Sequence, residues 1–231
     1  PQSYFRDCLW GKDASIFIAV HQPLAEGQTF HISEWGWPEV SPSWTWPKHE
    51  GQLFNIEVYS ACEKVELFLN GQSLGTRPAG RAEKFTARFE VPYAPGELKA
   101  VGFIKGQSAA EASLHTAGKA ALITLTPDRQ TLKADPLDLC YVTIEITDRK
   151  GRPQPHAAHL VQFEVEGEGS LLAVGSADPT STEDYVGNQR KAYRGRCLAV
   201  IKSSGQPGEI RLRASAKGLA PAELVIRAAK S

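Results

Sequence analysis

Val65-Glu66-Leu67-Phe68-Leu69-Asn70-Gly71 decides the architecture of this chain. Val65, Leu67 and Leu69 recur at every second position, the period of a strand with one buried face. Asn70-Gly71 follows at once. A type I′ turn needs positive φ at both central residues, which asparagine and glycine tolerate, so the pair predicts a two-residue β-hairpin. The same period extends on both sides. Phe54, Ile56 and Val58 precede the hairpin; Phe85, Ala87, Phe89 and Val91 follow it. Pro95-Gly96 marks a turn before a further strand over residues 98–104. Residues 48–117 therefore read as an immunoglobulin-like β-sandwich of about seven short strands.

A second unit of the same kind begins after Thr116-Ala117-Gly118. Val142, Ile144 and Ile146, then Val161, Phe163 and Val165, again keep a period of two. Strands are expected over residues 121–126, 140–147, 159–166, 171–174, 197–202, 209–214 and 222–228, with Gly-containing turns between them. The expected fold is all-β: two consecutive immunoglobulin-like sandwiches, 48–117 and 118–231, preceded by a segment of different character over 1–47.

That first segment opens with a short helical pattern over residues 1–11, where Tyr4 pairs with Cys8 and Phe5 with Leu9 at i,i+4. So short a helix cannot stand alone in water and must dock on something. Arg6, Asp7 and Trp10 read as its structural anchors. A strand-like run follows over 16–20. The connector behind it carries Pro23, Pro38, Pro42 and Pro47, and all five tryptophans of the chain lie before position 47.

Composition narrows the function. The 231 residues include 26 basic and 26 acidic side chains, a balance that gives no support to nucleic acid or an anionic surface as partner. No apolar run approaches the roughly 20 residues of a membrane helix. There is no methionine, so the chain reads as an excised or processed piece of a longer protein. Cys8, Cys62, Cys140 and Cys197 form no C-x-x-C pair and read as buried free thiols. Cys140 and Cys197 are spaced like the bridged strands of an immunoglobulin sandwich, with no tryptophan between them to pack on a bridge.

Three groups of residues invite chemistry. Asp178, Glu183 and Asp184 share a loop with Tyr185; paired carboxylates can act as acid and base or bind calcium, but the spacing fits no calcium loop, and solvated loop acids are the plainer reading. His156 and His159 have the H-x-x-H spacing of metal ligands on a helix, yet Pro153 and Pro155 argue for a loop. Arg152, Arg190, Arg194 and Arg196 read as solvated charges. No cofactor or metal site is expected.

The run from Val58 to Gly75, with Pro95-Gly96-Glu97-Leu98-Lys99-Ala100-Val101, resembles the domain that follows the catalytic barrel in glycoside hydrolase family 2 β-galactosidases. Pro1–Asp7 with Leu9-Trp10 resembles the end of the last barrel helix. Trp35-Gly36-Trp37-Pro38 and Ser43-Trp44-Thr45-Trp46-Pro47 are similar to the family's tryptophan-rich connector, and residues 143–148 with Gly167-Glu168-Gly169 to its last sandwich. Two departures are visible: Gly175-Ser176-Ala177-Asp178 where an Asn-Gly-Asp-type loop is common, and Ser43 where a histidine is common. The resemblance implies an accessory region that braces an upstream (β/α)₈ barrel, with both catalytic glutamates in that barrel and a periplasmic or extracellular parent. The chain alone would then be inactive. It leaves an independent carbohydrate-binding module or an adhesive spacer array as alternatives. It also gives the tryptophans two possible roles. Trp35, Trp37, Trp44 and Trp46 either fill a seam beneath the connector or bring an indole face to the rim of the parent's active site, where a galactoside can stack.

Overall fold

The structure, a computed structural model, describes residues 2–11, 15–23 and 36–230. The chain divides into two compact units, Pro1–Thr116 and Ala117–Ser231. Among the described residues the one α-helix is α1 (Gln2–Trp10); the rest of the regular structure is strand apart from a single 3-10 turn over Arg81–Glu83.

The first unit contains β1 (Ile16–His21), β2 (Val40–Ser41), β3 (Leu53–Ser60), β4 (Lys64–Leu69), β5 (Gln72–Pro78), β6 (Thr86–Pro92), β7 (Glu97–Ile104) and β8 (Gln107–His115). They form two antiparallel four-stranded sheets, ordered β2-β1-β3-β6 and β5-β4-β7-β8. The alternating positions face inward: Phe54, Ile56 and Val58 from β3, Val65 and Leu67 from β4, Ala87, Phe89 and Val91 from β6, Leu98 and Ala100 from β7. β1 pairs with β3 from Ile16 opposite Ser60 to Val20 opposite Ile56 and adds Ile18 and Val20 to this core. Trp44 and Trp46 lie in the same core. The chain before residue 48, set apart in the sequence reading, thus supplies a strand and two core tryptophans to the first sandwich.

The Asn70-Gly71 hairpin is as the sequence predicts. Asn70 has φ 52° and Gly71 φ 81°, joining β4 to β5 with Leu69 opposite Gln72. Asn70 does more than turn the chain. Its Nδ2 donates to the Pro95 carbonyl at 3.1 Å and its Oδ1 accepts from the Glu97 amide at 2.8 Å. A Cβ on Gly96, itself at φ 138°, would overlap that side chain.

The second unit contains β9 (Leu122–Pro127), β10 (Thr131–Lys133), β11 (Leu139–Thr147), β12 (Leu160–Gly167), β13 (Gly169–Gly175), β14 (Gln189–Lys191), β15 (Arg196–Ser203), β16 (Gly208–Ser215) and β17 (Ala222–Ala229). Its sheets run β13-β15-β11-β9 and β10-β17-β16-β12-β14. Each of the seven expected strands is present. Between the two sheets lie Cys140, Val142, Ile144, Ile146, Val161, Phe163, Ile201, Ile210, Leu212 and Ile226, all buried. β10 and β14, three residues each, are edge strands too short for periodicity to reveal.

All four cysteines are free and buried. Cys140 and Cys197 lie on adjacent strands of one sheet, not across the sandwich: Cys140 faces Ile201 and Cys197 faces Ile144. Four residues of offset along a strand is about 13 Å, beyond the roughly 7 Å Cα limit of a disulfide. Burial pushes the Cys197 thiol up to about 12 and the Cys140 thiol up to about 11, so neither carries thiolate at neutral pH.

Buried Asp148 closes the β11 end of this unit. Its carboxylate accepts from the amides of Gly118 (2.8 Å), Lys150 (2.8 Å) and Arg152 (3.0 Å). Burial pushes its pKa up, but these amides and the Arg152 charge outweigh that and hold it below the ordinary 3.8.

Two outcomes follow from these contacts. Gly71→Val, forced into a positive φ, should destabilise the first unit by about 1–3 kcal/mol. Tryptophan fluorescence reads this directly, because every tryptophan lies in that unit. Asp148→Ala should cost the second unit about 2–4 kcal/mol by stranding amide donors. Because the folded pKa of Asp148 is depressed, its stabilisation is fully present above the unfolded value and is lost as pH falls through the folded one, below about 4. The wild-type second unit should therefore lose more stability than the Asp148→Ala variant between about pH 5 and 2. Amide exchange of second-unit residues measures both, and equal acid slopes would refute the assignment.

Candidate functional site

The outward positions of the first sheet hold a tight cluster of polar and aromatic groups. Period two sends Phe17, Ala19 and His21 of β1 to one face, with Asn55, Glu57 and Tyr59 of β3 and Arg88 and Glu90 of β6. Half of this face is apolar. Phe5 of α1 meets Tyr59 edge-on at 5.3 Å and Trp37 at 5.2 Å, and Tyr4 stacks on Phe17 at 4.3 Å. Cys8, Ala19, Val40 and Tyr59 are buried beneath them. This is the docking the short helix required. Trp10 is not an anchor; it is 75% exposed at the helix end.

The other half is polar and forms an open cleft of about 630 Å³, lined among others by His21, Asn55, Glu57, Arg77, Arg88 and Glu90. Glu57 is its centre. Its carboxylate accepts from the Tyr59 hydroxyl at 3.1 Å and from Arg88 Nε at 3.2 Å, and His21 Nε2 lies 3.7 Å away. Burial raises the pKa of Glu57, but His21, Tyr59 and Arg88 more than offset it and hold the carboxyl below its ordinary value. Burial and the adjacent carboxylate push the Tyr59 phenol far above its ordinary range. A glycosidase acid must keep its proton near neutral pH, which requires a raised carboxyl pKa. Glu57 is tuned the other way, as a fixed anion that orders the face. The sequence reading named none of these residues, although the alternation of β1, β3 and β6 already assigned them to one face.

The tryptophans separate by depth. Trp44 is 0% exposed, its indole N–H donates to the Ala94 carbonyl at 2.9 Å, and its ring meets Tyr93 and Phe54 edge-on at 4.9 and 5.9 Å. Trp46 is buried beside it, with its indole N–H on the Ser43 carbonyl at 3.1 Å. Both are core packing, and neither leaves an indole face for a sugar. Trp37 is half-buried against Phe5 and Tyr59. Trp35 lies outside the described residues.

The loop acids of the second unit are spent on local structure. Asp178 Oδ1 accepts from the Thr180 amide and hydroxyl at 2.9 and 2.8 Å; Glu183 accepts from the Lys191 amide and the Ser181 hydroxyl at 3.1 Å each. Arg190, read from sequence as a solvated charge, is only 1% exposed. It donates from Nε to Ser176 Oγ at 3.2 Å and from Nη1 to the Glu183 carbonyl at 3.0 Å. A buried arginine appears in a sequence only as one more charge; nothing marks it before the loop closes over it. His156 and His159 lie in an irregular stretch, not on a helix. Among the described residues no three His, Cys, Asp or Glu side chains come together as a metal site.

Known proteins match both units. Residues 123–225 match the model for glycoside hydrolase family 2 C-terminal domain 5, and residues 51–110 match a domain of unknown function, DUF4982. A family 2 glycosyl hydrolase structure from Bacteroides cellulosilyticus superposes over 100% of this chain with a TM-score of 0.92 and 40% identity. The chain belongs to the C-terminal region of glycoside hydrolase family 2. A curated β-galactosidase of Bacteroides ovatus, BoGH2A, is 40% identical over 85% of the chain. A β-glycosidase structure from Bacteroides vulgatus is 26% identical, with a TM-score of 0.83 over 98%. The chain spans 23% of BoGH2A, 30% of the B. cellulosilyticus protein and 26% of the B. vulgatus protein, a minor part of each.

For this family 2 chain, the depth of Trp44 fixes an expected outcome. Trp44→Ala should lower the stability of the first unit by about 3–5 kcal/mol, the usual cost of emptying a buried aromatic site. In a complete parent enzyme, turnover per folded molecule should stay unchanged. Paired denaturation and kinetic measurements check this; lost kcat/KM at unchanged stability would contradict it.

Proposed function

We propose that this chain is the non-catalytic accessory region of a β-galactosidase-like family 2 enzyme, bracing an upstream (β/α)₈ barrel and helping to shape its substrate mouth. The observation that carries this is the seating of α1. The helix is fixed to the first sheet by Tyr4, Phe5 and Cys8, while Trp10 at its end stays exposed. A nine-residue helix ending in an exposed tryptophan offers a rigid aromatic anchor, the kind of group that dominates interface energetics. The share of each relative that the chain spans fits a barrel upstream, and the identity with a protein named β-galactosidase supports the substrate class. Of the four tryptophans named from sequence, Trp44 and Trp46 are buried, which leaves Trp37 and Trp35 as the candidates for the substrate rim.

The test pairs two measurements. The isolated chain should show no turnover of chromogenic galactosides; activity that co-purifies with it would overturn the proposal. Trp10→Ala should leave the thermal midpoint of the isolated chain unchanged but weaken its association with the separately produced barrel by about tenfold or more. Unaltered association would remove α1 as the bracing element.

A further inference from the structure

The hairpin that decides the first sandwich also carries a reactive dipeptide. The chain has three asparagines, Asn55, Asn70 and Asn188, and only Asn70 precedes a glycine. A backbone nitrogen can attack the side-chain carbonyl carbon of the asparagine before it, and the attacking residue's own side chain hinders the approach. Glycine has no side chain to interfere. Asn55 precedes Ile56 and Asn188 precedes Gln189, both bulky. Asn70 is exposed at the tip of the β4–β5 hairpin, where water reaches it.

The fold acts on this reactivity at the carboxamide itself. Nδ2 of Asn70 donates to the Pro95 carbonyl at 3.1 Å, and Oδ1 accepts from the Glu97 amide at 2.8 Å. A carbonyl only accepts and a backbone amide only donates, so these two partners fix which end of the group is which. Gly96 lies so close against the group that no side chain fits between them. Ring closure needs the carboxamide to fold back onto its own main chain, and both hydrogen bonds must break first. The turn that makes them is itself tied down. The Gly96 amide donates to Thr116 Oγ1 at 3.0 Å, and the Trp44 indole to the Ala94 carbonyl at 2.9 Å.

We infer that Asn70 is a modification site at which the Gly71 backbone nitrogen displaces ammonia from the side chain, and that the closed 94–97 turn holds this reaction back. The bond from Gly71 N to Asn70 Cγ forms and the Cγ–Nδ2 bond breaks. Nδ2 leaves as ammonia, carrying the proton that the Gly71 nitrogen gives up. Water then opens the five-membered imide at either carbonyl, giving aspartate or isoaspartate. Either product undoes the arrangement that protected the site. Aspartate sets a carboxylate oxygen against the Pro95 carbonyl where a donor had been. Isoaspartate adds a main-chain carbon to a two-residue loop, so Leu69 no longer fits opposite Gln72.

The experiment incubates the 231-residue chain at mildly alkaline pH, folded and in guanidinium chloride, and follows each asparagine by peptide mapping. Asn70 should convert in denaturant ahead of Asn55 and Asn188, and more slowly by about tenfold or more in the folded chain, where reaction waits on local opening. Gly71→Val should slow conversion in denaturant by about tenfold or more, because its branched side chain crowds the attacking nitrogen. Thr116→Val removes one tie of the turn and should speed conversion in the folded chain while leaving the rate in denaturant unchanged. Asn70→Asp, read by tryptophan fluorescence, should lower the thermal midpoint of the first unit. Equal rates in folded and denatured wild-type chain would overturn the inference, and this comparison needs no variant to fold. So would conversion of Asn55 or Asn188 ahead of Asn70, an unaltered rate in denatured Gly71→Val, or an unaltered rate in folded Thr116→Val.

Discussion

The turn at Ala94–Glu97 is the knot on which the first unit depends. Trp44 donates its indole proton to the Ala94 carbonyl, Asn70 donates to the Pro95 carbonyl, and the Glu97 amide donates to the Asn70 side chain. The Gly96 amide bonds Thr116 Oγ1 at 3.0 Å, and that hydroxyl donates to the Trp44 carbonyl at 2.6 Å. Four remote pieces of chain meet at one turn: the connector, the β4–β5 hairpin, the entry to β7 and the end of β8. None of these polar groups can be left dry and unpaired without a cost comparable to the stability of a small domain's turn. Gly96 is required there because any larger residue would collide with Asn70. Backbone satisfaction thus fixes the connector as firmly as hydrophobic burial fixes the strands.

That network explains what could and could not be read in advance. Strands with one buried face announce themselves, and β9, β11, β12, β15, β16 and β17 start and end within one residue of the periodic runs. Asn70-Gly71 announces itself through the φ values it alone accepts. β5 does not: its side chains are nearly all exposed, so it carries no burial period and exists because the hairpin holds it against β4. The tryptophans are legible as large rings that need a place, but whether that place is a core or a rim depends on acceptors such as the Ala94 carbonyl, fifty positions away. The cysteine spacing was a misleading likeness, since sequence distance between two strands does not reveal that they share a sheet or that their register is offset by four residues.

The buried or half-buried charges obey one rule. Asp148 gathers three amides at the end of β11, Glu57 gathers His21, Tyr59 and Arg88 on the first sheet's outer face, and Arg190 gathers Ser176 and the Glu183 carbonyl under a long loop. Each is paired with groups remote in sequence or with the backbone of its own loop, and each gives an irregular stretch a single shape. A carboxylate tuned downward by several donors is a poor proton donor, and a guanidinium inside a loop is a poor general base. Their value is geometric. For a region whose relatives use it as a minor part of a long chain, surfaces of fixed shape are a sufficient reason to keep such groups.

The contrast between Trp44 and Tyr185 carries this further. Both rings are held by the same kinds of force, a hydrogen-bonded backbone and a neighbouring ring or cation. Trp44 spends its whole surface on the core and its N–H on a carbonyl, so its energy goes into folding. Tyr185 is pinned at its backbone and backed on one side, but most of its surface remains in water. Ordering an exposed ring costs side-chain entropy that folding alone does not recover. Position in the fold, not residue type, decides which aromatic side chain stabilises the sandwich and which stays in water.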